Sequence, residues 1–331
     1  MRPLLLFLVA CGGAAVESGG PSVAPNGTSS SLTSVASGAI PTTAKPRTGP
    51  LSLADARAYM VELINRDRAT QKLPPVALDS GHATTSGQRH ADDMAHLGYL
   101  GHWGTDGSVP EQRFTEASGV DMVMENASCM TDLKVRELDH APMIDSKTVE
   151  DTESMFFNEP PGHDGHRQNI LNPRHTHVGI GIAQPKPTAT ELPTACFSQE
   201  FTDVYGTYAA IPAHVKLGST LHVEGTLSPS MVPGGVGFAR IDAPQPIAPK
   251  QANAMRSYHL PDAYQNYWPK GFDTPIPITV AGQSFKADLP IGDHGKPGLY
   301  EVIVWAKPAG KSDGKTEEEF MRVSVRTIFV D

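Results

Sequence analysis

The sequence predicts an α+β protein, with helices early and strands late in one domain, followed by a smaller all-β domain. Three observations predict it. Leu53, Ala56, Met60, Leu63 and Ile64 fall at helical spacing. Val178-Gly179-Ile180-Gly181-Ile182 alternates as a strand does where another backbone approaches closely. From Thr207 onward short apolar runs are punctuated by proline and glycine.

The first element is an apolar run from Leu4 to Ala10 that ends at Cys11. It is too short to span a bilayer as a helix and suits the core of a signal peptide. Leu8-Val9-Ala10-Cys11 looks like a bacterial lipobox, whose cysteine takes lipid after cleavage. Residues 1–10 therefore read as a lipoprotein signal peptide and Cys11 as the lipidation site. The alternative is a plain secretory signal with an incidental cysteine. Residues 11–50 read as the lipidated Cys11 and a tether rich in Gly, Ser, Thr, Ala and Pro, which cannot bury enough surface to offset its ordering entropy. As a flexible coil the tether spans roughly 35 Å. The expected location is outside the cell membrane, lipid-anchored and facing the periplasm or exterior.

Three cysteines are present. With Cys11 lipidated, Cys129 and Cys196 remain, and an exported setting favours their pairing as a disulfide over two buried thiols. The formal charge is −9, without a Lys/Arg run or basic stripe, which argues against nucleic-acid binding. Contact with a membrane is expected through the lipid alone.

The domain at residues 51–206 opens with a helix that Ser52 caps, with Asp55 placed as in a capping box. Pro74-Pro75 forbids its continuation. A second helix follows Asp79 and stops at Gly98, and a third occupies about Val149 to Asn158 before Pro160-Pro161. Phe197 to Val204 is the expected neighbour of the Gly-rich strand. In residues 207–331, Leu299–Lys307 and Phe320–Val330 read as strands. Met321, Val323 and Val325 alternate with Arg322, Ser324 and Arg326, the mark of a half-buried strand. The boundary near Thr207 predicts two separately folded parts, the second a small β-sandwich of immunoglobulin-like shape.

Several segments of the first domain carry a further signal. They are Asn65-Arg66-Asp67-Arg68, His90-Ala91-Asp92-Asp93-Met94-Ala95, Gly98-Tyr99-Leu100-Gly101-His102, Met124-Glu125-Asn126-Ala127 and Gly165-His166-Arg167-Gln168-Asn169-Ile170-Leu171. In this order they resemble the bacterial form of the CAP superfamily, the cysteine-rich secretory, antigen 5 and pathogenesis-related (SCP-like) proteins. The resemblance runs from about Leu53 to Gly206. It implies a three-layer α-β-α sandwich with a cleft on one side.

The resemblance also implies the cleft residues. His102 matches the first histidine and Glu125 the acid of a Gly-Glu-Asn motif in which Met124 replaces the glycine. Glu159, after Phe156-Phe157-Asn158, matches a second acid. His166 matches the second histidine, with His163 as a rival. Two imidazoles converging in a cleft can bind a divalent metal such as zinc, so His102 and His166 are the metal candidates, with Glu125 and Glu159 as ligands or ring-orienting partners. The same groups can act as general acid and base, or merely satisfy buried hydrogen bonds. His90, His175 and His177 read as packed or surface histidines. No His-Glu-x-x-His helix, Gly-x-Ser-x-Gly elbow, phosphate loop or dinucleotide fingerprint is present. The favoured expectation is a membrane-anchored binding module whose cleft holds a metal, a lipid-like molecule or a cell-wall component. The alternative is a metal- or His/Glu-dependent hydrolase, perhaps a peptidase as the resemblance suggests.

Overall fold

The computed structural model describes residues 44–310 and 320–331, together with the backbone of residues 9–11. Residues 1–8 of the expected signal peptide and most of the tether, and the lipidation expected on Cys11, lie outside the described residues. The backbone of Val9–Cys11 forms β1.

The first half then runs β2 (Pro50–Leu51), α1 (Leu53–Thr70), β3 (Ala77–Leu78), α2 (His82–Leu97) and α3 (Pro110–Glu116). It continues with β4 (Met122–Cys129), β5 (Ile144–Asp145), α4 (Ser146–Phe157), α5 (Gly165–Ile170), β6 (His177–Ala183) and β7 (Cys196–Asp203). Local chemistry sets the helix ends. Ser52 Oγ accepts from Asp55 N at 3.1 Å and donates to Asp55 Oδ2 at 2.6 Å, the reciprocal cap that starts α1. Asp79 Oδ2 accepts from Ala83 N at 3.0 Å at the start of α2. Gly98 closes α2 in the left-handed region at φ 63, open to glycine at little cost. Contacts with the fold begin before Leu51: Arg47 bonds Glu62 at 2.7 Å, and Ala44 packs on the core.

The sheet order is β1-β4-β7-β6-β3. Alternation along β6 sends its side chains to two environments. Val178, Ile180 and Ile182 join Met60 and Ile64 of α1 and Val149 and Phe156 of α4 in one core. Gly179 faces the other way, where a Cβ would stand 2.2 Å from the backbone of Ala83 in α2. Helices therefore cover both faces of the sheet. Arg68, buried at the end of α1, donates to the carbonyls of Pro74, Ile170, Asn172 and His175, tying α1 to the segment after α5.

The second half contains β8 (Gly206–Tyr208), β9 (His214–Val215), β10 (Thr220–Leu227), β11 (Met231–Ile241), the short α6 (Pro249–Ala252) and β12 (Gln265–Tyr267). Next come β13 (Thr279–Ala281), β14 (Ser284–Pro290), β15 (Gly298–Pro308) and β16 (Met321–Val330). They form a four-stranded sheet, β13-β14-β10-β8, and a five-stranded sheet, β12-β11-β15-β16-β9. Leu221, Val223 and Phe285 of the first share a core with Phe238, Val302 and Val323 of the second.

One expectation needs correcting. β16 is not half-buried: its polar face is covered too, because it lies against the first half. Ser324 Oγ donates to Val120 O, Thr327 N donates to Thr115 Oγ1 at 3.0 Å, and Val325 packs with Met122. Trp268, Trp305 and Ile303 complete this apolar contact, with Met124 and Leu260 against its edge. The two halves thus share buried surface rather than a simple hinge.

Candidate functional site

Glu125 lies on β4 and points to the α2 side of the sheet, as its cross-strand partner Glu200 on β7 does. Its carboxylate is held on both oxygens. His102 Nδ1 donates to Oε1 at 2.8 Å, Arg113 Nη2 donates to Oε2 at 2.8 Å, and Ser198 Oγ donates to Oε2 at 3.3 Å. Arg113, from α3, also donates to the carbonyls of His102 and Ser108, so one guanidinium fixes both the carboxylate and the loop that carries His102. His90, from α2, donates Nε2–H to Gly101 O at 2.7 Å and stands 3.7 Å from Glu125 Oε1.

The electrostatics follow from burial and this pairing. Burial alone would raise the Glu125 carboxyl, but His90, Arg113 and His102 reverse that and hold it below the ordinary range. Burial, aided by the Arg113 charge, pushes the His90 imidazole down to about 4. Burial, with ionised Glu125 beside it, pushes the Glu200 carboxyl well up. A neutral His90, a charged Arg113–Glu125 pair and a protonated Glu200 can coexist in this low-dielectric space.

The other acid–histidine pair lies on the neighbouring segment. His166, on α5, donates Nδ1–H to Glu159 Oε1 at 2.5 Å, and its backbone N–H donates to Glu159 Oε2 at 3.0 Å. Its ring stacks on Phe156 at 4.6 Å. His163 is solvent-exposed. The two pairs connect through amides: Asn126 Nδ2 donates to His166 O, and Asn169 Nδ2 donates to Asn126 Oδ1 and Glu125 O. Glu125 and Asn126 are consecutive on β4, so their side chains leave opposite faces of the strand. His175 bonds Asp203 at 2.6 Å and stacks on Phe201.

A pocket with about 390 Å³ of empty space, its open mouth included, lies over the first pair. His102, Glu125, Val123, Met124, Pro110, Glu111 and Asn169 line it from the first half, and Tyr258, His259 and Leu260 from the second. His166 and Glu159 do not line it. With Nδ1–H given to Glu125, the neutral His102 ring presents Nε2 as an acceptor. That atom is buried and has no hydrogen-bond partner among the described residues. Burial pushes the Glu111 carboxyl up to about 7, and Tyr258 donates its hydroxyl to Glu111 Oε2 at 3.0 Å.

The geometry can be tested against a metal. Each of His102 and His166 is oriented by a carboxylate at Nδ1, as metal-ligating histidines commonly are. Glu125, however, has both oxygens engaged. Among the described residues no group of three or more His, Cys, Asp or Glu side chains is arranged to hold an ion. The donor chemistry suits a metal, but a closed protein cage of the structural zinc type does not fit.

Several of these residues carry no legible local signal. Arg113, Ser198 and Glu200 sit in segments without a motif, and Tyr258–Leu260 lie in a loop of the other half. His90, read as a packed helix histidine, is packed, but it borders the Glu125 carboxylate. Arg167 clamps Phe157 O at 2.9 Å. Cys129 and Cys196 form a disulfide that joins β4 to β7.

Residues 61–201 match the family model of the CAP, or cysteine-rich secretory protein, family. The uncharacterized protein YkwD of Bacillus subtilis (strain 168) is 27% identical over 135 residues, which covers 41% of this chain and 45% of YkwD. The chain thus spans less than half the length of that relative. The match takes in most of the first sheet, the helices packed on its faces and the His102–Glu125 and His166–Glu159 pairs, and residues 61–201 are a CAP-like domain.

Proposed function

We propose that this protein is a binding module whose cleft takes a small, partly apolar ligand through a hydrogen bond to His102 Nε2. The observation that carries this reading is that buried acceptor, left without a partner on the wall of a pocket otherwise lined by Val123, Met124, Pro110 and Leu260. An unpaired buried polar atom is costly, and a ligand donor would relieve the cost. Native mass spectrometry of protein purified without added metal or detergent tests it. A bound species present in the wild type and absent in His102→Ala is the expected result. A bare protein in both sinks the reading.

A divalent ion is the second occupant we propose, with His102 Nε2 as its ligand in the pocket, His166 as the candidate second ligand from beyond the pocket wall, and water or ligand completing the coordination. Lipid-like and cell-wall molecules are the broader ligand classes the resemblance brings. One observation also favours turnover: an imidazole oriented by a buried carboxylate, with its other nitrogen in a pocket, is the base half of a hydrolase. Among the described residues no Ser, Thr or Cys lines the pocket, so water would be the nucleophile.

We further propose that the chain is exported and anchored to a membrane through lipidated Cys11. The lipobox-like sequence supports this, and so does the disulfide, since such bonds persist in oxidising compartments. No helix among the described residues is long and apolar enough to cross a membrane. Fractionation of labelled cells decides it: an unmodified N-terminus on protein free in the medium would sink the idea. We read the two C-terminal sheets as an immunoglobulin-like sandwich on the strength of their common core.

A further inference from the structure

We propose that Tyr258 and Leu260, from the β-rich half, are ligand-contacting residues, so that the binding site is shared between the two halves and is incomplete in the CAP domain alone. This deepens the binding reading above and rests on it.

The segment between α6 and β12 is pinned to the residues around His102 along its length. At its start, Asn253 Oδ1 accepts from Leu100 N at 3.2 Å, two residues before His102. In the middle, the Tyr258 ring stands edge-on to Trp103 at 5.0 Å, and its hydroxyl donates to Glu111. At its end, Arg322 Nη2 donates to Pro261 O at 2.8 Å, and Leu260 packs against the apolar contact that includes Met122 and Trp305. A Cβ at Gly101 would stand 2.6 Å from Ala252 O, so the two backbones approach as closely as glycine allows. These contacts come from residues that neighbour the pocket on both sides. They hold Tyr258 and Leu260 in its wall rather than beside it.

The wall has a definite chemistry. Leu260, Met124, Val123 and Pro110 supply its apolar lining. Glu111, Tyr258 and Asn169 supply polar atoms, and His102 Nε2 accepts. The class that fits is a small molecule with an apolar body and one N–H or O–H donor. Leu260 sets its size, and Tyr258, held by Glu111, sets the polar edge.

The test reads His102 directly and needs no identified ligand. The full chain is treated with diethyl pyrocarbonate, and carbethoxylation is followed residue by residue by peptide mass spectrometry. Exposed His163 serves as the reference. Buried His175, kept protected under the chosen conditions, reports that the fold is intact. Leu260→Ala is expected to speed modification of His102 about tenfold, equivalent to lowering the access barrier by about 1.4 kcal/mol. Leu260→Trp is expected to slow it. Opposite shifts from one position cannot come from general loosening. Equal His102 rates in wild type and both variants would overturn the shared site. If native mass spectrometry finds nothing bound while these rates still diverge, the ligand reading fails and the shared pocket stands.

Discussion

Gly181 of β6 meets Gly87 of α2 backbone to backbone: a Cβ on Gly181 would stand 2.1 Å from the Gly87 carbonyl oxygen. This contact sets how closely α2 lies on the sheet, and α2 carries His90. Gly181→Ala must push the helix outward. It is expected to cost about 1–3 kcal/mol or more, as overpacking does. Urea unfolding measures this, and an unchanged midpoint would show that α2 can shift freely.

The disulfide gives a second expectation. Replacing Cys129 and Cys196 together by alanine should lower stability by about 2–5 kcal/mol. Guanidinium unfolding of the oxidised wild type and the double variant checks it. Equal stability would mean that the bond contributes nothing beyond the packing around it.

Stability should also depend on pH through Glu111. Its folded carboxyl is raised by burial, opposed in part by Tyr258, Arg113 and Arg322, from 4.5 to about 7. Buried Glu301 is likewise pushed up, by burial and by Glu111. A raised folded pKa means that the contribution is fully present below pH 4.5 and is lost as pH climbs through about 7. The loss is on the order of 3 kcal/mol. Glu125, held below its ordinary range, keeps its contribution throughout this window and loses it only in stronger acid. Glu111→Gln should reduce the dependence between pH 5 and pH 8, with other raised carboxyls, Asp121, Glu153 and Glu200 among them, keeping a residual slope. A slope identical to that of the wild type would remove Glu111 from the account.

Zinc separates the two proposed occupants. Calorimetric titration of wild type and of the His102→Ala/His166→Ala variant should give binding only in the former if the ion uses both rings. Equal affinity would exclude this pair.

Separating the halves should have a cost. Residues 44–206 expressed alone would expose Met122 and lose the Ser324–Val120 and Thr327–Thr115 bonds. We expect a lower melting temperature and increased binding of an apolar dye. A fragment that melts like the whole chain would show the interface to be incidental.

Much of the CAP domain was legible because its signals are local. Ser52 and Asp55 mark a helix start, Gly98 marks an end, and the glycines of β6 announce a close neighbour. β4 was not legible as a strand. Met124-Glu125-Asn126 carries no strand signal because Glu125 and Asn126 are polar and yet buried, and partners distant in sequence, such as Arg113, Ser198 and Asn169, make that burial tolerable. His102 and Glu125 could be named from the family pattern, but Tyr258 and Leu260 could not. Their place in the pocket depends on contacts made across more than a hundred residues, and no periodicity records those.

β4 and β7 present a problem that their composition does not solve. Strands normally keep their pairing because a slip of one residue would turn apolar side chains out of the core. Here Glu125 stands opposite Glu200 and Asn126 opposite Gln199, so polar groups occupy both faces and the usual penalty for slipping is weak. The covalent bond between Cys129 and Cys196 sits at one end of this pair of strands and fixes their alignment. A reducing environment would therefore act on the cleft without touching it. It would release the covalent link at the end of these strands and leave only hydrogen bonds, Ser198 to Glu125 among them, to keep the carboxylate that aims His102 in line.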